Sequence, residues 1–157
     1  MQPITPFLWF DDRLEEAVNH YVQLFPEARV VRSQRYGPGA PRPEGTMMSM
    51  TFALRGQEFM GLNGGPLYEF TPAVSFMVSC ETQAEVDRYW DGLLDGGGEE
   101  QPCGWLRDRF GLSWQVIPTA LGRALGDQDP ARAGRAVQAM LQMKKIDIAA
   151  LERALAG

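Results

Sequence analysis

The chain is poor in the side chains that most often do chemistry unaided. It holds one histidine, His20, and two cysteines, Cys80 and Cys103, in 157 residues. The two cysteines make neither a zinc-type spacing nor a disulfide framework, so a reduced, cytoplasmic setting is expected. No apolar run is long enough to span a bilayer, and no basic stretch followed by an apolar one precedes the first strand pattern. No membrane partner is expected. Basic charge is also scarce: 15 Lys and Arg face 20 Asp and Glu, a net charge of -5. The only lysine pair is Lys144-Lys145. Such a chain repels phosphate backbones, which disfavours nucleic acid as a partner.

What is present is an ordinary globular composition, 45% hydrophobic and 22% charged, with a length that suits one compact domain or two small modules sharing a core. Ile4 to Phe10 reads as a buried strand. Asp12 then opens a helix, with Glu15 as a capping-box partner and Leu14, Ala17, Val18, Tyr21, Leu24 and Phe25 on one face. Pro26 ends it. Ala28 to Tyr36 reads as a strand, 37 to 45 as a Pro- and Gly-rich loop, and Thr46 to Leu54 with Gln57 to Leu62 as a hairpin around Arg55-Gly56.

The pattern then restarts. Ala73 to Cys80 reads as a strand, and Thr82 caps a helix with Glu85 as partner, ending at Gly96-Gly97-Gly98. Glu99 to Gly104, Trp105 to Phe110 and Leu112 to Pro118 follow as strand candidates. The equivalent helix starts at Asp12 and Thr82 imply an internal repeat too long to be a solenoid. After it come three helical stretches, one from Thr119 to Leu125, one capped by Asp129 before Pro130, and one capped by Asp147. Their apolar faces, with Val137, Met140, Leu141 and Met143 and then Ile148, Leu151 and Leu155, pack either on their own sheet or on a second subunit. The expected organisation is α+β: a first βαβββ module over 1–66, a second over 67–118, and a helical extension over 119–157, together one structural domain.

The local sequences carry a resemblance. Ile4 to Phe10 followed by Glu15-Glu16-Ala17 and Tyr21, the run Phe59 to Pro66, Val74-Ser75-Phe76, the long stretch Gly104 to Pro118 and the tail Gln138 to Asp147 resemble the PhnB-like branch of the vicinal oxygen chelate superfamily, which includes glyoxalases, dioxygenases and bleomycin-resistance proteins. That branch often bears the label of a demethylubiquinone methyltransferase domain. The resemblance implies cupped mixed or antiparallel sheets around a ligand cavity, and a homodimer. In metal-using relatives, inward strand side chains supply His and Glu to one divalent ion.

At the aligned ligand positions this chain has Pro6, then Ala73 or Ser75, then Gln115, and Phe59 to Gly65 contains no His, Asp or Glu. Glu58 lies just before that segment, and one carboxylate does not make a site. No metal is therefore expected, and no cofactor. A methyl donor's usual doubly wound sheet carries a Gly-rich turn after its first strand, whereas Phe10 is followed here by Asp11-Asp12-Arg13.

The expected pocket residues are Gln115, Ser113, Asn63, Ser75, Leu8, Tyr36, Cys103 and Trp105. Strand alternation sets Ser113, Gln115 and Ile117 on one face and Trp114 and Val116 on the other. Gln115 meets either a ligand or, as the plainer alternative, a neighbouring strand side chain or water. Cys103, beside Gly104-Trp105 and with Arg107 near in sequence, is either an activated thiol or a structural cysteine, and Asp108 reads as a turn residue. Asn63 before two glycines suits a turn, and Tyr36 with the 37–45 loop suits the cavity rim. The reading that follows is a metal-independent protein binding a small organic molecule in an apolar cup. Its competitors are an enzyme using the same pocket and a scaffold whose tail helices mediate assembly.

Overall fold

The computed structural model describes residues 2–157, which divide into two compact units with the boundary between Phe70 and Thr71. In the first, strand β1 (Phe7–Phe10) leads to helix α1 (Leu14–Leu24), then β2 (Arg29–Arg35), β3 (Met47–Leu54) and β4 (Gln57–Asn63). The sheet order is β1-β4-β3-β2, with β1 parallel to β4 and the other pairs antiparallel. Arg55 and Gly56 turn the β3–β4 hairpin with φ of 50° and 85°. A two-residue turn with both centres left-handed matches the natural twist of its strands.

The second unit repeats this plan. Strand β5 (Phe76–Cys80), helix α2 (Gln83–Leu94), β6 (Glu99–Glu100), β7 (Trp105–Arg107) and β8 (Ser113–Pro118) form a sheet of order β5-β8-β7-β6. Three helices follow: α3 (Thr119–Leu125), α4 (Pro130–Leu141) and α5 (Ile148–Ala156). The repeated βαβββ plan and the C-terminal helices match the expectation from sequence.

Each sheet has one helix packed on one face. A methyl added at Gly61 would lie 2.6 Å from Leu14 Cδ1 of α1, so that side of the first sheet faces the helix. Gly61 pairs with Leu8 and with Met50, which places the alternate residues Phe10, Phe52 and Phe59 on the same side. These side chains are buried with Leu14, Ala17, Val18 and Tyr21 of α1, and Phe52 stacks on Tyr21. In the second unit Val78, Cys80, Leu106, Trp114 and Val116 are buried against the face of α2 that carries Val86, Tyr89, Trp90 and Leu93. Each large side chain so buried contributes about 1.5–3 kcal/mol.

Several local expectations change. Asp12 does not cap α1. The helix begins at Leu14, the Arg13 side chain at the cap position makes no capping bond and pairs with Glu16 instead, and the Leu14 amide donates to Asn63 Oδ1 at 2.9 Å. The strand expected from Ala73 starts at Phe76. The strand expected over Glu99 to Gly104 shrinks to two residues and a 3₁₀ turn, Pro102–Gly104, because Pro102 cannot donate to a ladder and Cys103 is left-handed with φ 62°. The strand expected to reach Phe110 stops at Arg107, where Asp108 takes over the turn. Thr82, Asp129 and Asp147 do cap their helices, accepting from Glu85, Ala131 and Ala150 amides.

The tail packs on its own unit. Leu121, Ile146 and Leu151 form a buried cluster joined by Met140, Met143 and Ile117 of β8, while Leu141 stays half exposed. The Cys103 and Gly104 amides donate to the Met143 and Lys144 carbonyls at 2.9 and 2.8 Å. The Gln83 side chain acts as a short strand: its Nε2 donates to the Ile146 carbonyl at 3.0 Å and its Oε1 accepts from the Ile148 amide at 2.9 Å. Lys145 pairs with Asp87 at 3.0 Å. Gln83 and then Lys145 hold the Asp87 carboxyl below its ordinary value. A lowered carboxylate stabilises the fold above the usual Asp range, and that share is lost as pH falls through the lowered value. Gln83→Ala removes both backbone links and is expected to destabilise the protein by about 1–3 kcal/mol. Amide exchange at Ile148 should speed up in this variant while exchange within α1 stays unchanged.

Candidate functional site

With one helix per sheet, each sheet presents a second face to which no helix of the βαβββ plan contributes. On the first sheet that face is built from two registered rows. One runs Phe7–Met60–Thr51–Arg32 and the next Trp9–Leu62–Ser49–Gln34, each from β1 through β4 and β3 to β2. Directly paired residues point the same way, so each row is one line of side chains. Phe7 is 52% exposed, and Trp9, Met60, Leu62, Ser49 and Thr51 are partly exposed.

Trp9 is the fixed member. Its indole N–H donates to the Gly65 carbonyl at 2.9 Å, and Tyr68 meets its ring edge-on at 5.0 Å. A methyl at Gly64 would sit 2.3 Å from the indole, so only glycine lets the ring lie there. On the second sheet the open row is Met77–Gln115–Trp105, with Ser79 and Ile117 on the next row. Met77 is 61% exposed, Gln115 and Trp105 are partly exposed, and the tail cluster packs against Ile117.

The residues singled out in the sequence are distributed as follows. Gln115 and Ser75 come together, with Gln115 Nε2 donating to the Ser75 hydroxyl oxygen at 3.0 Å. Of the two alternatives for Gln115, the neighbouring side chain is the partner it has here. Trp105 lies beside Gln115 in register. Ser113 is fully buried, and its hydroxyl has no hydrogen-bond partner among the described residues. Leu8 is buried on the side of the first sheet that faces α1, not on its open side. Asn63 is buried and committed to the backbone: besides capping α1, its Nδ2 donates to the Met47 carbonyl at 3.2 Å. Tyr36 donates its hydroxyl to the Asn63 carbonyl at 2.6 Å. A cleft of about 530 Å³ beside the 37–45 loop is lined by Asp12, Glu15, Arg35 and Arg42. The charges there are partly paired, Arg35 with Glu15 at 3.5 Å and Arg42 with Asp11 at 3.9 Å.

Cys103 is half-buried, and its thiol donates to the Met140 carbonyl at 3.7 Å. His20, the one imidazole, belongs to α1 in the other unit. Asp108 is the turn residue expected. Its Oδ1 accepts from the Phe110 and Leu112 amides and its Oδ2 from the Trp114 indole, at 2.9 to 3.0 Å.

A divalent ion of the kind used by metal-dependent relatives needs several charged or imidazole donors. Gln115 and Ser75 are neutral and bonded to each other. Among the described residues no group of three or more His, Cys, Asp and Glu comes together. The residues present do not fit such an ion. Nor do they fit a methyl donor's usual seat, because both sheets are mixed and four-stranded rather than doubly wound, and β1 passes to α1 through Asp11-Asp12-Arg13.

The family model described as 3-demethylubiquinone-9 3-methyltransferase matches residues 2–117. The chain belongs to that family. A PhnB protein from Bacillus cereus, whose description carries the same methyltransferase name, is 38% identical with a TM-score of 0.69, over 74% of this chain and 99% of that one. A protein from Pseudomonas aeruginosa has 22% identity and a TM-score of 0.62, over 75% of this chain and 98% of its own. The genomically encoded fosfomycin resistance protein of Listeria monocytogenes has 16% identity and a TM-score of 0.51, over 75% and 93%. The last two are likenesses of fold. These matches place the chain in the PhnB-like branch of the vicinal oxygen chelate superfamily, with the glyoxalase/bleomycin-resistance fold. No curated protein matches it. The family model ends at 117, so the tail motif Gln138 to Asp147 lies beyond it.

The sequence reading missed Phe7, Trp9, Met60 and Leu62 as one surface. Period-2 alternation within each strand was visible, but the surface needs the register between strands. Gly64→Ala is expected to push the Trp9 indole off Gly64 and change the near-ultraviolet circular dichroism, with far-ultraviolet helix and strand signals kept. Asn63→Ala removes the α1 cap and strands a buried carbonyl, which should cost about 1–3 kcal/mol in a denaturant melt.

Proposed function

We propose that this protein binds a small organic molecule on the open apolar sheet surface of its βαβββ modules, without a metal of its own. The observation that carries the reading is the composition of that surface. Phe7, Trp9, Met60 and Leu62 on the first sheet and Met77 and Trp105 on the second are large apolar side chains that remain partly or largely exposed. A chain that leaves such residues uncovered gains by covering them with an apolar ligand. The neutral Ser75–Gln115 pair supports polar recognition rather than Lewis-acid chemistry. It could equally orient a substrate, so the enzyme reading keeps the same pocket. Methyl transfer, named in the family's description, is not favoured, because neither the sheets nor the β1–α1 turn offers the usual seat for a methyl donor.

We also propose a homodimer in a reducing, cytoplasmic setting. Ile4, Leu67, Tyr68 and Val74 are 60–87% exposed, a liability that a second copy would relieve. Both cysteines are free thiols, as a reducing compartment favours. Among the described residues no helix is long and apolar enough to cross a membrane.

Four measurements test this reading. Elemental analysis of dialysed protein is expected to find no stoichiometric divalent ion, and finding one would overturn the metal-free part. Titration with S-adenosylmethionine should give neither heat nor thermal shift. A panel of small aromatic and aliphatic compounds should raise the melting temperature for some members, and Phe7→Ser should lower that gain. Turnover of a stabilising compound that is lost in Gln115→Ala would move the assignment to an enzyme.

A further inference from the structure

The two rows on the open face of the first sheet are graded across the strands. On β1 and β4 they present Phe7, Met60, Trp9 and Leu62, and on β3 and β2 they present Thr51, Arg32, Ser49 and Gln34. Three interstrand steps of about 4.8 Å make each row roughly 14 Å long, so one or two fused rings with a polar head would span it.

Arginines on an edge strand often serve only to discourage pairing with another chain. Arg35 is accounted for locally, since it bonds the Gly45 carbonyl and pairs with Glu15. Arg32 differs. It stands in register with Thr51, at the end of the row that begins at Phe7, and has no ion pair or hydrogen bond among the described residues. The side chains of Thr51, Ser49 and Gln34 are also without a hydrogen bond among the described residues. Three neutral polar groups and one guanidinium, all uncommitted, therefore end two apolar rows. Beyond the Arg32 row on the same face lies Glu58, paired with Ala53, which pairs in turn with Arg29. Its carboxylate repels an anion from the β4 side and favours one orientation of the ligand, with its apolar body over β1 and β4 and its head over β2.

We propose that the first sheet selects an apolar molecule carrying one anionic group, a carboxylate, sulfonate or phosphonate, and that Arg32 holds that group while Thr51 and Gln34 donate to it. Guanidinium meets such oxyanions through paired, charge-assisted hydrogen bonds. This inference rests on the binding function proposed above and adds the chemical class of the ligand.

A matched pair of fluorescent probes separates the two claims. 8-Anilinonaphthalene-1-sulfonate and N-phenyl-1-naphthylamine share one aromatic body and differ in the sulfonate. Fluorescence titration of the full chain should show tighter binding of the sulfonate, weakening with added salt. Arg32→Gln should reduce its affinity about ten-fold, as loss of a charge-assisted bond predicts, and leave the neutral probe unchanged. Arg32→Lys should recover part of the loss. Arg153→Gln, which removes an exposed charge on α5, should change neither probe. Phe7→Ser, at a position already 52% exposed and so tolerant of the change, should weaken both. If Phe7→Ser weakens both probes but Arg32→Gln behaves like Arg153→Gln, the anion inference is overturned and the binding face stands. If Phe7→Ser weakens neither, the binding face itself is overturned.

Discussion

One short helix can cover only one side of a sheet. Helix α1 has 11 residues and so is about 16 Å long, enough to lie across a four-stranded sheet once. Period-2 alternation in the strands sends half of their side chains to that helix and half away from it. The helix-facing half, with Phe10, Phe52, Phe59 and Leu8, is the core of the first unit. The other half is released from the demands of packing and can be shaped for a ligand. The same division holds in the second unit, where Trp114 and Val116 are buried and Gln115 between them is not.

Rigidity in this design comes from side chains that stand in for backbone at the ends of elements. Asn63 closes the start of α1 and holds Met47, Asp108 gathers two amides and an indole in the β7–β8 turn, and Gln83 completes the link between α2 and the tail. All three are polar groups in sheltered places, and each has partners that repay its loss of water. They keep the strand ends in place, and with them the rows of side chains on the open faces.

Most of the fold was legible from local signals. The repeat, the caps at Thr82, Asp129 and Asp147, the Arg55-Gly56 hairpin and the two faces of β8 all follow from spacing and turn chemistry within a few residues. The start of α1 was misread because its cap comes from Asn63, 49 residues away, and no local pattern announces such a partner. The site was legible only in part. Gln115 and Ser75 meet as one of the open alternatives allowed, while Leu8 and Asn63 are spoken for by the helix side. Arg32 escaped notice because β2 has irregular pairing between Val30 and Arg32, which breaks simple alternation and leaves the facing of its residues to the partner strand.

The left-handed Cys103 and the glycine after it offer their amides to the segment just before α5, beyond the point where the family's common portion ends. Trimming this protein to the shared length would leave two amide donors and the Ile117 side chain without their partners. For expression or engineering, the smallest self-sufficient form of the second unit therefore includes its last helix, and the family boundary is not a safe place to cut.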